Sequence, residues 1–221
     1  MKVSVVILAY NEEKYIGKCL ESLMSQDIPA DEIIVVDNNS KDKTAEICKK
    51  FGVTLVKEKK QGMTPARNCG FDKAKYEIIA RCDADTRVPG DWIKKIKENF
   101  QKNTINALTG PLVFYDSPLK SAFYSKAYNA GMRAAVSHNI LNGPNMALTK
   151  KMWEVVRKEV CLLDTKVAED IDLALHISQH HGVIRFDNSL TVSFSARRLI
   201  HNPASFFIEY PIRTLKTLRN H

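Results

Sequence analysis

The chain has 221 residues, 44% of them hydrophobic and 26% charged, with a formal net charge of +8. That length and balance fit one globular domain with room for two lobes and a sizeable core, and no apolar run approaches the ~20 residues that span a bilayer. Five widely spaced cysteines, Cys19, Cys48, Cys69, Cys82 and Cys161, form no C-x-x-C, which excludes a zinc ribbon and a disulfide framework and favours reduced, mostly buried thiols in a cytoplasmic protein. The positive charge could serve nucleic acid, anionic lipid or a phosphorylated ligand. The lysines are spread along the chain and no recognition motif appears, so no nucleic-acid partner is expected.

Val3–Ala9 is a short β-branched run, typical of a central parallel strand. It is not a signal-peptide core, because Glu12 and Glu13 follow where small residues should sit. Asn11 is placed to cap a helix with acids in its first turn, and Ile16, Cys19, Leu20, Leu23 and Met24 recur at helical spacing up to Ile28-Pro29. Glu32–Asp37 is a second strand ending in Asp37-Asn38-Asn39-Ser40. Ser40 or Asp42 can cap the next helix, which runs to Lys50, with Gly52 just past its end. Residues 53–56 form a third strand, and 57–62 a charged loop. Thr64 is then placed to cap a helix with Pro65 in its first turn. Ile78 to Cys82 is an apolar strand that runs into Asp83-Ala84-Asp85, and residues 92–100 form an amphipathic helix. This alternation predicts a parallel sheet with right-handed crossovers.

Beyond residue 103 the alternation stops. Residues 107–114 predict an interrupted strand, 121–136 an aromatic-bearing helix, 143–148 a tight loop into a strand, and 153–160 a short helix. Thr165 leads into Glu169-Asp170-Ile171-Asp172, which opens another helix. Strands follow at Ile184–Phe186 and 191–194. His176 and His180, four apart, could share a metal, but Ile177 stands where a zinc protease needs glutamate. The tail, 203–218, mixes Phe206, Phe207, Tyr210, Ile212, Leu215 and Leu218 with Arg213 and Lys216. It fits a helix packed on the body or one lying on a membrane.

The chemistry gathers at strand ends. Residues two apart on an extended chain point the same way, so Asp83 and Asp85 can face one site. Paired acids at a strand's carboxyl end suit a hard divalent cation, which prefers oxygen ligands, and open α/β sheets bind ligands at that edge. The competing reading is a pair of solvated turn acids before Pro89-Gly90. Asp37 ends a second strand on the same edge.

Five stretches stand in one order: 5–13 (VVILAYNEE), 34–40 (IVVDNNS), 66–70 (ARNCG), 82–85 (CDAD) and Glu169-Asp170. Together they resemble the family 2 glycosyltransferases of GT-A fold. The resemblance implies a Rossmann-like, mostly parallel sheet flanked by helices, with a smaller mixed sheet on the acceptor side. It implies a nucleotide-sugar-binding half over 1–102, an acceptor-side half over 103–199 and a basic, aromatic tail over 200–221. The implied activity is inverting transfer from a nucleotide-diphosphate sugar, a UDP- or GDP-sugar, to a hydroxyl of a glycan or lipid-linked acceptor, with Mn2+ or Mg2+.

By that resemblance Asp85 touches the metal and Asp170 is the base. Asp83 meets the ribose or a metal-bound water, and the Ala84 backbone lies against the nucleotide. Ala9, Tyr10, Glu12, Asp37 and Asn39 surround the nucleotide, and Arg67 holds the base or the neighbouring acids. Arg197 and Arg198 either neutralise the diphosphate or form a solvated pair. No Q-x-x-R-W stretch of the polymer-making members appears, which predicts one sugar per encounter. The expected location is cytoplasmic, with peripheral contact at the inner membrane face through the tail. The alternatives are a sugar-nucleotide nucleotidyltransferase, which needs a glycine-rich loop where Tyr10-Asn11-Glu12-Glu13 stands, and a non-catalytic nucleotide-sugar-binding protein.

Overall fold

The structure is a computed structural model that describes residues 1–117, 121–162 and 167–221, apart from the side chains of Phe206, Phe207 and Asn220. Thr165 lies outside the described residues. The first half alternates as β1 (Val3–Ala9), α1 (Ile16–Met24), β2 (Glu32–Asp37), α2 (Thr44–Lys50), β3 (Thr54–Lys57), α3 (Met63–Lys73) and β4 (Ile78–Asp83). There follow β5 (Thr86–Arg87), α4 (Trp92–Lys102), β6 (Ala107–Thr109), β7 (Leu112–Phe114), α5 (Phe123–Val136), β8 (Met146–Thr149), α6 (Lys150–Val156) and α7 (Glu169–Gln179). The chain closes with β9 (Ile184–Phe186), β10 (Val192–Phe194), α8 (Arg197–His201), a π-helical turn (Ser205–Glu209) and α9 (Tyr210–Asn220). Seven strands form one sheet in the order β3-β2-β1-β4-β8-β6-β9, and β5-β10-β7 form a smaller one. In the large sheet β1, β2, β3 and β4 run parallel, and β8 runs against both β4 and β6. The small sheet is mixed, with β10 antiparallel to β5 and parallel to β7.

Strand alternation divides the core into two layers. Val3, Val5 and Ile7 of β1, with Ile78, Ala80 and Cys82 of β4, pack on Ile16, Leu20 and Leu23 of α1 and on Trp92 and Ile96 of α4. Val6, Ile34, Val36 and Ile79 face the other way, onto Phe71 of α3, Trp153 of α6 and Ile171 and Leu175 of α7. Arg81 shares parity with Ile79, so an arginine at 1% exposure sits within the second layer. The two layers also require close backbone approach. A Cβ on Gly110 would lie 2.0 Å from the Leu190 carbonyl oxygen, so only glycine fits there.

Several boundaries differ from the sequence expectation; helix α6, for one, spans Lys150–Val156 where 153–160 is expected, because Thr149 caps it by accepting the Met152 N–H. Asn11 does not cap α1, which starts at Ile16. Its backbone is left-handed, with φ 54°, and its side chain accepts the Lys41 N–H at 2.8 Å, tying the β1 loop to the β2 loop. Helix α3 begins at Met63, with Gly62 at φ 138° before it, so Thr64 is a buried first-turn residue rather than the cap. The two-residue β5, too short to leave a periodic signal, forms right after Asp85 and pairs with β10. The tail packs on the body through Tyr210 and Leu218, which join the second layer. Thr214 and Thr217 are buried with them, while Ile208, Ile212 and Leu215 stay exposed.

Candidate active site at the carboxyl rim of the sheet

Register places the expected residues on one rim. Ala9 pairs with Asp37 across β1 and β2, and Leu8 with Asp83 across β1 and β4. Neighbouring strands lie about 4.8 Å apart, so Asp37 and Asp83 flank the end of β1. Asp37 is buried and accepts the Ser40 N–H at 3.0 Å, while the Ala9 carbonyl accepts the Asn38 N–H at 2.8 Å. The buried Asn38 side chain binds the carbonyls of Glu58 and Lys60 and the N–H of Gly62, fixing the loop after β3. Asn39 is exposed at φ 67° and donates to the Lys59 carbonyl at 2.6 Å. Tyr10 is exposed at the rim and Ala84 is buried.

The two motif acids arrive differently from the expected alternation. Strand β4 ends at Asp83 and a turn carries Asp85. Asp83 shares parity with Arg81 and takes its guanidinium at 3.1 Å. Asp85 instead meets Arg197, whose Nε lies 3.0 Å from Asp85 Oδ2. The same guanidinium binds Glu12 and stacks on the Tyr15 ring at 4.4 Å. Burial, reinforced by the Asp83 charge, pushes the Asp85 carboxyl up to about 6 despite Arg197. Burial likewise raises the Glu12 pKa. Glu12 Oε2 is buried with no hydrogen-bond partner among the described residues, an acceptor left open beside Asp85. Glu12 and Asp85 share the Arg197 guanidinium, with Asp83 beside them on Arg81, an all-oxygen acidic set of the kind a hard divalent ion prefers. Oxygen ligands of this type suit Mn2+ or Mg2+, ions that keep water and phosphate oxygens in their sphere. Arg198, next in sequence, is exposed.

The other half of the site hangs on Glu169. Its carboxylate, 6% exposed, lies between two buried arginines: Arg67 Nη1 at 2.7 Å and Arg81 Nη1 on the other oxygen. Burial alone would raise its pKa, but the Arg81 and Arg67 charges outweigh that and hold it below the usual carboxylate range. Arg67 also binds the Glu169 carbonyl and the Asn68 side chain. Arg67 is thus buried against an acid of the site.

Glu169 opens α7, and the next residue is Asp170. Its Oδ2 accepts the Gly143 N–H at 3.1 Å and its Oδ1 the Ile171 N–H at 3.0 Å. Burial and the adjacent Glu169 charge push Asp170 up to about 6, against the pull of those two N–H groups. The Tyr210 hydroxyl reaches both its oxygens, at 3.3 and 3.4 Å. A continuous chain of contacts therefore runs from Asp83 through Arg81 and Glu169 to Asp170, and Asp85 stands beside Asp83 with Glu12 and Arg197. Asp37, Asn39 and Tyr10 lie further along the same rim, and the exposed Arg198 stands near enough for its charge to pull down the pKa values of Asp85 and Glu12.

Sequence reasoning missed Arg81, Gly143 and Tyr210. Arg81 carried a signal, since a lone arginine inside an apolar strand must find buried anions. Gly143 contributes only a backbone N–H, and Tyr210 acts across 40 residues, so neither had one. The paired histidines both face Glu159 Oε2, His180 at 2.9 Å and His176 at 3.7 Å, and His176 turns its other ring nitrogen to Asp172.

The fold is shared with solved GT-A glycosyltransferases. Staphylococcus aureus TarS 1–349 in complex with UDP-GlcNAc superposes at TM-score 0.71 with 19% identity, over 88% of this chain and 58% of TarS. The mannosyltransferase PcManGT from Pyrobaculum calidifontis, in complex with GDP-Man and Mn2+, gives TM-score 0.68 with 23% identity, over 88% of this chain and 57% of that one. Residues 4–152 match the family described as glycosyl transferase family 2, and the chain belongs to that family. Among curated relatives, glycosyltransferase AglE of Haloferax volcanii is 28% identical over 165 residues, 70% of this chain and 54% of AglE. Glycosyltransferase GlyA of Streptococcus pneumoniae is 26% identical over 141 residues, 58% of this chain and 20% of GlyA. The chain thus spans between a fifth and just over half of the length of these two relatives.

Proposed function

We propose that this chain transfers a glycosyl group from a nucleotide-diphosphate sugar to an acceptor hydroxyl, with inversion at the anomeric carbon and one sugar per encounter. The observation that carries the reading is the Asp170 carboxylate, oriented by two backbone N–H groups and tied through Glu169 and Arg81 to the acids at the end of β4. An attacking hydroxyl must lose its proton as the glycosidic carbon becomes oxocarbenium-like. A carboxylate whose pKa lies near 6 takes that proton more readily than an ordinary one, yet is mostly ionised at neutral pH. Tyr210 holds the carboxylate in place from the tail side.

Asp85, supported by Asp83 and Glu12, would hold Mn2+ or Mg2+. Such an ion supplies Lewis-acid neutralisation of the charge that grows on the departing diphosphate. Arg197 already carries a positive charge at that point, and we assign it, with Arg198 behind it, to the diphosphate. Ala9, Tyr10, Asp37 and Asn39 surround the base and ribose, with Asp83 and the Ala84 backbone on the β4 side. The donor is a UDP- or GDP-sugar, by likeness to TarS and PcManGT, whose structures hold UDP-GlcNAc and GDP-Man. In this reading 1–102 binds the donor, 103–199 faces the acceptor and 200–221 is the tail.

No helix among the described residues is long and apolar enough to cross a membrane. The exposed Ile208, Ile212 and Leu215 beside Arg213 and Lys216 support surface contact with an anionic membrane and a lipid-linked acceptor. Failure to bind anionic liposomes would remove that part. The central test is Asp170→Asn, assayed with a panel of nucleotide sugars and Mn2+. Transfer should fall by at least a hundredfold while the donor still raises the unfolding temperature. Undiminished turnover removes Asp170 as the base. Donor binding without transfer or hydrolysis in the wild-type chain would leave the non-catalytic reading standing.

A further inference from the structure

We propose a second metal site, separate from the donor site, in which Asp172, His176 and His221 hold a Zn2+-class ion that staples the end of α9 to α7. One ligand atom from each of the three residues lies within 4.8 Å of the others. Asp172 and His176 are four apart on α7, so they share one face. Asp170, two residues before Asp172, points about 200° away from it, which puts the site on the opposite side of the helix from the base. The Asp172 Oδ1 atom lies 3.0 Å from His221 Nε2 and 3.8 Å from His176 Nε2. Tetrahedral zinc with bonds of about 2.0–2.1 Å separates its ligands by about 3.3–3.5 Å. The two observed spacings straddle that value, so small side-chain shifts close the shell.

The surroundings are those of a built site. Asp172 Oδ2 accepts the Cys161 N–H at 2.9 Å, which fixes the carboxylate and leaves Oδ1 for the cluster. The buried His176 has its Nδ1 without a hydrogen-bond partner among the described residues. Glu159 Oε2 lies 3.7 Å from that atom. A carboxylate behind a ligating imidazole orients the ring and raises its basicity, and Glu159 is placed to do so. The Gln179 amide nitrogen lies 3.3 Å from His221 Nδ1, and a flip of that amide would put its oxygen where it accepts the Nδ1–H that ligation through Nε2 requires. The His221 side chain is only 11% exposed. A groove of about 400 Å³ lined by His138, Gln179 and Leu218 reaches it, giving the ion a way in. Two imidazoles and one carboxylate select a borderline metal over Mg2+ or Mn2+, so the site differs in kind from the all-oxygen set at Asp85.

The experiment uses metal-free, untagged protein titrated with Zn2+ in competition with a chromophoric chelator, with Co2+ as a spectroscopic probe. One equivalent of Zn2+ should bind and raise the unfolding temperature, and Co2+ should give the intense visible bands of tetrahedral coordination. His176→Ala and His221→Ala should each weaken binding at least tenfold. Asp85→Ala should leave it unchanged, and Mg2+ should not compete. His221→Ala removes a side chain at the end of α9 and is expected to fold, so a loss of binding there is not a loss of structure. Absence of stoichiometric Zn2+ binding, retention of full affinity in both histidine variants, or loss of binding in Asp85→Ala would each overturn the proposal.

Discussion

Replacing Glu169 with glutamine tests how the two halves of the site are joined. The glutamine keeps the size and can still accept a hydrogen bond, but it removes the negative charge between Arg67 and Arg81, whose side chains are 0% and 1% exposed. Arg81 then keeps its ion pair with Asp83 and the more distant Asp170 charge, while Arg67 has no other ion pair among the described residues. Removing one partner of a buried ion pair costs about 3–5 kcal/mol, because a buried charge is left uncompensated. In a chain of this length each kcal/mol is worth about 2–4 °C, so the unfolding temperature should drop by roughly 6–20 °C.

The pH dependence gives a second reading of the same term. The folded pKa of Glu169 is held below its ordinary value of 4.5, so its contribution is complete above that value and is lost as the pH falls through the folded one. Urea unfolding of wild type and variant at pH 7 should therefore show the full gap, and the gap should close in acid. Replacing Arg67 by methionine in the Glu169→Gln background should recover part of the loss, since one stranded cation is removed. A cost under about 1 kcal/mol at pH 7, or a gap that persists unchanged in acid, would refute the account of Glu169 as the counter-ion joining α3, β4 and α7.

Asp170 carries the opposite sign. Its folded pKa of about 6 lies above the ordinary 3.8, so wild-type stability falls as pH rises between those values, by about 3 kcal/mol in all. Asp170→Asn should accordingly gain about 1–2 kcal/mol relative to wild type between pH 5 and pH 8; parallel stability profiles would contradict this. Arg197→Gln frees Asp85 and Glu12 from their internal cation. It should bind Mn2+ several-fold more tightly in the absence of donor and bind nucleoside diphosphate more weakly, as read by Mn2+ paramagnetic resonance and calorimetry. Gly110→Ala forces a Cβ to within 2.0 Å of a backbone oxygen and should cost at least ~1–3 kcal/mol in denaturant unfolding.

Much of the first half was legible because its strands are long and apolar, and β2 and β4 end at acids. Val3–Ala9, Glu32–Asp37 and the run into Asp83 each declared both an element and the rim where it stops. The order of the remaining strands was not legible. Strands β6, β8 and β9 have three or four residues, too few for a period to specify direction or neighbour, and β5 has two. The site divided in the same way. Asp83, Asp85 and Asp170 could be picked out as motif residues, but their connections run between Arg81 and Glu169, 88 residues apart, and between Glu12 and Arg197, 185 apart. Pairings at such range leave no local trace. Asn11 misled because Asn favours both helix caps and left-handed turns, and the loop contact with Lys41 decided for the turn.

The antiparallel β8 bears on how this chain could be recombined with its relatives. It is zipped to β4 on one side and β6 on the other, so no cut between the first and second halves of the chain leaves the large sheet untouched. The stretch that marks kinship ends at residue 152, yet the buried anion that complements Arg67 and Arg81 comes from residue 169. A graft that swaps everything after β8 must therefore import a carboxylate at the start of its own α7, or the transplanted hybrid will carry a stranded Arg67 at its seam, with Arg81 left to Asp83.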